Sequence, residues 1–189
     1  LYMSVPVALT GLFVTATEVT YFKLSFGYIN LVLSLLGPIS VLLNVEFPKI
    51  QVERSHELTK HFMRISLYAM AISLVLTTGA VMVAPWAFKL LYGEAFLPSI
   101  PYIFGFFLYG ALFGIGVGLG PMWRAIDRVK TSILINIATL AIGVPVGIML
   151  IRQFHIWGAV AMVTLWYTVS HFVSFIYLAR KLEAPQVSL

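Results

Sequence analysis

The chain has 189 residues, 60% of them hydrophobic and 10% charged, with a mean hydropathy of +0.97 and a formal net charge of +5. Soluble domains carry about 25% charged residues, so this chain has too little charge to cover its own surface in water and is expected to be a polytopic membrane protein. Cysteine is absent, which excludes disulfides and thiolate metal sites, and the basic residues fall in gaps between apolar runs rather than on one continuous face, which argues against nucleic-acid binding.

A spanning helix needs about 20 mostly apolar residues. Six stretches qualify, at 1–17, 24–45, 63–84, 99–119, 131–151 and 156–178. Within hydrocarbon only the chain itself can satisfy backbone polar groups, so these runs are expected as helices. The period-2 alternation of a membrane barrel is absent. The predicted fold is all-α, a polytopic membrane helix bundle whose six transmembrane helices form a single lobe over residues 1–189. The sequence opens at Leu1 already inside an apolar run, with no basic leader region, which predicts a fragment of a longer protein.

Six crossings put alternate gaps on opposite sides. One side receives Lys49, Arg54, Lys60 and Arg64, then Arg124, Arg128 and Lys130, then Arg180 and Lys181, nine of the 12 basic residues; the other receives Lys23, Lys89 and Arg152. The excess of Lys and Arg on cytoplasmic loops places the first side, and both chain ends, in the cytoplasm.

The first span is short. Glu18 follows it, and Glu46 sits at the far end of the second, so the two flank one helix pair. Both read as solvated interface charges in preference to carriers of a proton or cation, because both lie near helix ends. Across the second span Lys23, Gly27, Asn30, Ser34, Gly37 and Asn44 recur at helical spacing on one face, broken only at Val41, while the other faces carry Leu, Val, Ile and Phe. Two readings are open for such a stripe: a polar cavity wall, or a helix–helix seam in which small residues allow close packing. Glu46 is positioned to pair with Lys49. The gap QVERSHELTKHFMR (51–64) is amphipathic and is expected to lie on the inner membrane surface against anionic lipid.

The third span is expected to end at Pro85 and Trp86, an interfacial residue type. KLLYGEAFLPSIP (89–101) then reads as an outward-facing hinge, in which Gly93 permits a turn and Pro98 and Pro101 open the next helix. In the fourth span Gly110, Gly114 and Gly118 form a repeated small-xxx-small pattern, read as packing; Gly116 and Gly120 add a bending point before Pro121. Arg124, Arg128 and Lys130 surround Asp127 in the next gap and are read as holding topology. In the fifth span Asn136, Thr139, Gly143 and Gly147 share a face that reads as a seam, with Asn136 also a candidate cavity group, and Pro145 is expected to kink the helix. His171 in the last span stands apart from His56, His61 and His155, so a hydrogen-bonded bundle histidine is favoured over a metal ligand or proton relay.

Four stretches carry a resemblance. Leu90 to Pro98 (LLYGEAFLP), between two spans, resembles the corresponding hinge of bacterial oligosaccharide flippases of the multidrug/oligosaccharidyl-lipid/polysaccharide exporter superfamily. EVTYFKLSF (18–26) is similar to the loop before that family's eighth helix, FPKI (47–50) resembles the end of that helix, and FHIWGAVAM (154–162) looks like the start of the last helix. Order and spacing map the chain to the C-terminal six-helix half. The resemblance implies an N-terminal six-helix lobe of the same protein as partner, a lipid pyrophosphate carrying a sugar repeat as substrate, and alternating access in a bacterial inner membrane. It implies no cofactor and no metal. Because the family's eighth helix lines its cavity, it also favours the cavity reading of the polar stripe. The candidate substrate-binding residues are then Lys23, Asn30, Ser34, Asn44, Asn136 and Arg124, with Lys23 the phosphate contact near the outer mouth and Arg124 at the inner entrance, where an arginine suits pyrophosphate.

Two other functions compete. A multidrug antiporter lobe of the same superfamily would want a buried acidic residue, and no acidic residue falls mid-span. An intramembrane lipid-sugar enzyme would want clustered carboxylates, often with a metal, and the seven acidic residues are scattered. The chain is therefore expected not to be an enzyme.

Overall fold

The computed structural model describes residues 4–53 and 55–183, and every regular element in them is helical. Arg54 and the first three residues of the first predicted span lie outside the described residues, as do the side chains of His56 and Lys181.

Helix α1 (Ser4–Phe13) is too short to cross a bilayer. Only Val14 and Thr15 separate it from α2 (Ala16–Leu33), which starts at a capping box: the Thr15 N–H donates to Glu18 Oε2 (3.0 Å) and the Glu18 N–H donates to Thr15 Oγ1 (3.3 Å). Glu18 is thus an exposed capping carboxylate at a helix end, in keeping with the solvated charge expected there. One expectation is corrected: EVTYFKLSF is helix rather than loop, with Lys23 two turns inside α2. The chain continues through one tight 3₁₀ turn (Ser34–Leu36) into α3 (Gly37–Glu53). Pro38 causes the turn: it has no N–H for the Ser34 carbonyl, and its ring would strike that carbonyl in a regular helix. The Gly37 N–H bonds the Ser34 carbonyl instead, which tightens the winding.

The amphipathic gap expected after α3 is largely absent. Helix α4 (Ser55–Leu91) absorbs it, burying Leu58 and Phe62 and leaving Lys60 and Arg64 exposed. Nor does Pro85 end this helix; it lies exposed within it, and the turn comes only after Leu91. There Gly93 takes φ 83°, a conformation glycine adopts at no steric cost. The turn is closed by a Lys89–Glu94 ion pair of 2.8 Å and by the Phe88, Tyr92 and Phe96 rings, whose successive centroids lie 5.0 and 6.4 Å apart. A 3₁₀ segment (Glu94–Ser99) holding Pro98 leads into α5 (Ile100–Gly105), with Pro101 in its first turn.

Helices α5 and α6 (Phe107–Val117) meet at Phe106, and the axis bends by 57° there. The main bend thus precedes the glycines expected to supply it; only a lesser break, at Gly118, separates α6 from α7 (Leu119–Ala125). After α7, Asp127 adopts φ 52°. The Arg128 N–H reaches back to the Trp123 carbonyl (2.9 Å) and the Asp127 N–H to the Arg124 carbonyl (3.1 Å). This is a Schellman stop with aspartate where glycine is usual.

Residues Val129–Glu183, taken together as α8, are two helical arms that meet in a fold at His155, with φ 52° and ψ −126°. Pro145 lies exposed in the first arm (129–154), and the fold falls in the gap expected between the fifth and sixth spans (131–151 and 156–178). The second arm (156–183) returns along the first: a Cβ on Gly143 would strike Trp166, on Gly147 Met162, and on Gly158 the Leu150 carbonyl. These nested pairs define an antiparallel hairpin, and they bear out the seam read from Gly143 and Gly147.

The α4–α6 seam is equally close. A Cβ on Gly110 would strike the Thr77 side chain, and one on Gly114 the Ala69 backbone; Ser73 donates to the Gly110 carbonyl across it. Between α2 and α5–α6 the core is aromatic, with Phe26 centred 5.2 Å from Phe106 and 5.6 Å from Tyr109. The outward faces are apolar: Val75, Met82 and Leu90 on α4, and Leu134, Ile137 and Ile142 on α8, are well over half exposed. Water-soluble proteins rarely present so much contiguous apolar surface. Three helical stretches, Ala16–Glu53, Glu57–Leu91 and Val129–Arg180, are long and apolar enough to cross a membrane, and the bent pair Glu94–Gly105 and Phe107–Ala125 is a fourth candidate. The fold is an all-α bundle of a multi-pass membrane protein.

Two substitutions test these contacts. Gly114→Leu drives a side chain into the α4 backbone and should lower stability by at least about 2 kcal/mol, the upper part of the overpacking range. His155→Gly relieves an unfavourable backbone conformation and should raise it by about 1 kcal/mol. Thermal unfolding of the purified protein in detergent reads both.

Candidate functional site

The stripe predicted on the second span survives in three dimensions and becomes more regular. Ser40 lies three residues after Gly37 and four before Asn44, so it fills the position that Val41 was thought to break; Val41 itself is 67% exposed on the apolar outer side. The stripe is not a seam within the described residues. A Cβ on Gly27 or Gly37 would meet nothing within 4 Å, and Lys23, Gly27, Ser34 and Gly37 are all exposed.

At its middle the stripe forms one wall of a cleft of about 430 Å³. Asn30, Ser34, Gly37 and Ser40 supply that wall; Tyr109, Phe113, Gly116 and Gly120 come from α6 and α7; Val163, Trp166, Tyr167 and His171 come from the second arm of α8. The 3₁₀ turn at Ser34–Leu36 sits directly in the wall.

The polar groups of this lining are largely engaged by the protein. Tyr109 Oη donates to Asn30 Oδ1 at 2.8 Å, while Asn30 Nδ2 donates to the Phe26 carbonyl at 2.7 Å. Ser34 Oγ donates to the Leu31 carbonyl at 2.6 Å, and Tyr167 Oη to the Phe113 carbonyl at 2.8 Å. His171 Nδ1 lies 2.8 Å from the Tyr167 carbonyl. A carbonyl only accepts, so Nδ1 carries the proton there, and the imidazole stacks on the Tyr167 ring at 3.7 Å. This agrees with the expected hydrogen-bonded bundle histidine. Trp166 sets its indole Nε1 against Gly143. Among the described residues, no Asp, Glu, Lys or Arg lines the cleft.

The structure joins some predicted site residues and separates others. Asn30 and Ser34 line the cleft. Asn44 lies one helical turn past Ser40, and Arg124 one turn past Gly120, and the two meet: Arg124 Nη1 donates to Asn44 Oδ1 at 2.7 Å, tying α3 to α7 on an exposed edge. Lys23 is exposed two turns before Asn30, on the same side of α2 but outside the lining. Asn136 lies elsewhere. It accepts from Ser170 Oγ at 2.9 Å and closes the seam between the two arms of α8. Glu46 and Lys49 are exposed and make no ion pair with each other.

Sequence reading missed Tyr109, Phe113, Trp166 and Tyr167. The four-residue spacing of Tyr167 and His171 puts them on one helix face, and this was the available signal for two of the aromatic walls. Among the described residues, no three His, Cys, Asp or Glu side chains gather as a metal site would require.

The Tyr109–Asn30 bond is the polar link between α6 and the cleft wall. Tyr109→Phe strips Asn30 Oδ1 of its donor while preserving ring packing. It should cost about 1 kcal/mol, measured as a lower unfolding midpoint in detergent. No model of a known protein family, no curated protein and no solved structure matches this chain.

Proposed function

We propose that this chain is one lobe, the C-terminal one, of a membrane transporter that flips lipid-linked oligosaccharide across a bacterial inner membrane by alternating access. The observation that carries the reading is the polar face of α2–α3: in an otherwise apolar chain, Lys23, Gly27, Ser34 and Gly37 are exposed along one stripe, with empty space beside Gly27 and Gly37. Asn30 and Asn44 on the same stripe bond to Tyr109 and Arg124. Polar surface at membrane depth is costly unless it lines a watery path or meets polar neighbours. Opposed to a second lobe, this face becomes a cavity wall with a cation near either end. Lys23 and Arg124 are suited to an anionic head group.

The proposal takes six crossings: one by the first predicted span, of which α1 alone is too short to cross, one each by α2–α3, α4 and α5–α7, and two by the arms of α8. The distribution of basic residues then places both chain ends in the cytoplasm. The partners are the lipid-linked cargo, bilayer lipid and the N-terminal lobe of the same protein, and the chain performs transport rather than catalysis. The antiporter alternative lacks support at the site, since no carboxylate among the described residues lines the cleft.

Complementation of a flippase-deficient strain tests the transport reading. Lys23→Ala and Arg124→Ala should each lower surface polymer about tenfold or more, the loss of one charge-assisted hydrogen bond, with membrane abundance unchanged. Polymer at the wild-type level in both variants would refute the assignment. The native chain has no cysteine, so single cysteines replacing Lys60 and Glu94 report topology cleanly. A membrane-impermeant maleimide should label the Glu94 position from outside and the Lys60 position only after lysis; labelling of both from the same side would remove the proposed orientation.

A further inference from the structure

The cleft and the Arg124–Asn44 contact are neighbours by construction. On α3, Ser40 lines the cleft and Asn44 lies one turn further; on α7, Gly120 lines the cleft and Arg124 lies one turn further. Four residues of helix advance about 6 Å. A cation therefore stands one helical turn beyond a cavity that contains none.

That cavity does not suit a sugar. A sugar needs donors and acceptors that are not already used, and the lining offers few. Asn30, Ser34, Tyr109, Tyr167 and His171 are each bonded within the protein. The Trp166 indole N–H, which has no partner, is buried against Gly143 rather than open to the cleft, leaving the Ser40 hydroxyl among the described lining. The rest of the lining is Leu, Val, Phe, Trp and glycine, without formal charge. Its volume, about 430 Å³, falls in the ordinary range for bound small molecules. Two of its glycines, Gly37 and Gly120, face space that a Cβ would enter without contact. An uncharged hydrocarbon chain meets these conditions, and the Arg124 guanidinium supplies a bidentate seat for a phosphate at one end of that chain.

We infer that the cleft and Arg124 form one bipartite site for an anionic isoprenoid lipid: Arg124 holds the phosphate, and the cleft holds the first part of the hydrocarbon chain. This rests on the transport reading for the identity of the lipid and adds to it where the chain goes. The Asn44 contact uses one guanidinium donor, so the remaining N–H groups of Arg124 can meet the phosphate while α3 and α7 stay tied.

The test is photolabelling of the full chain in phosphatidylcholine nanodiscs with three diazirine probes: a polyisoprenyl monophosphate with the diazirine near its phosphate, the same chain ending as a neutral alcohol, and phosphatidylglycerol with the diazirine on an acyl chain. The phosphate probe should label peptides containing Ser40 and Phe113. Gly37→Leu and Gly120→Leu, which fill the cleft, should each cut that labelling about tenfold, a change of about 1.4 kcal/mol. Gly79→Leu, on the open outer face of α4, should leave it unchanged. Arg124→Gln should bring the phosphate probe down to the level of the alcohol while leaving alcohol labelling as it was; a purely structural role for Arg124 would lower both. Equal labelling by phosphatidylglycerol, or labelling indifferent to Gly120→Leu, would overturn the inference. The two proposals also fail differently. Specific labelling in a protein that cannot restore polymer export refutes transport and keeps the site, whereas full export by a Gly120→Leu protein that no longer labels refutes the site and keeps transport.

Discussion

Within hydrocarbon, helices gain nothing by hiding apolar side chains from one another, because lipid is as apolar as leucine. Association rests instead on backbones coming close enough for dispersion contacts and interhelical hydrogen bonds. In this chain, missing Cβ atoms make that possible. Gly110 and Gly114 let α6 lie on the α4 backbone, and Gly143, Gly147 and Gly158 let the two arms of α8 close as a hairpin. The other features of the bundle are arranged around these two seams. The aromatic core fills the space between α2 and α5–α6, and the cleft is what remains where α2–α3, α6–α7 and the second arm of α8 fail to meet.

The glycines on the polar stripe do the opposite work. Gly27 and Gly37 have the same composition signature as the seam glycines but face empty space. A small residue in a membrane helix marks either a close contact or a deliberate lack of one, and the backbone traced through neighbouring helices decides which. Proline divides in the same way. Pro38 tightens the helix in the cleft wall by withholding an N–H from Ser34, whereas Pro85 and Pro145 lie on outward faces within helices that continue past them. Both breaks made by non-glycine residues at positive φ, Asp127 and His155, occur at hairpin turns.

Charge is distributed to match. The cleft is free of it, and the cations sit beyond its ends. The Glu18 carboxylate is spent on a helix cap and the Glu94 carboxylate on a turn, which leaves Lys23 and Arg124 as the cations beside the open face. A binding surface with cations outside and apolar walls within suits an amphiphile with an anionic head.

Composition and periodicity alone determined that the chain is helical and built for lipid. They also determined that one helix carries a polar stripe through Asn30, Ser34 and Asn44, and that Gly110 and Gly114 would pack, because these are properties of a single helix in an apolar medium and need no knowledge of its neighbours. Helix ends were less legible. The break at His155 falls in the gap read between 151 and 156, but amphipathic sequence at 55–64 extends a helix when its apolar side chains, Leu58 and Phe62, find a core. Only the tertiary structure decided that the stripe is open, that Asn44 meets Arg124 across 80 positions of sequence, that Asn136 belongs to a seam, and that Tyr109 and Tyr167 wall a cleft. Those facts depend on which helix lies opposite, and a periodic pattern on one helix does not contain that information.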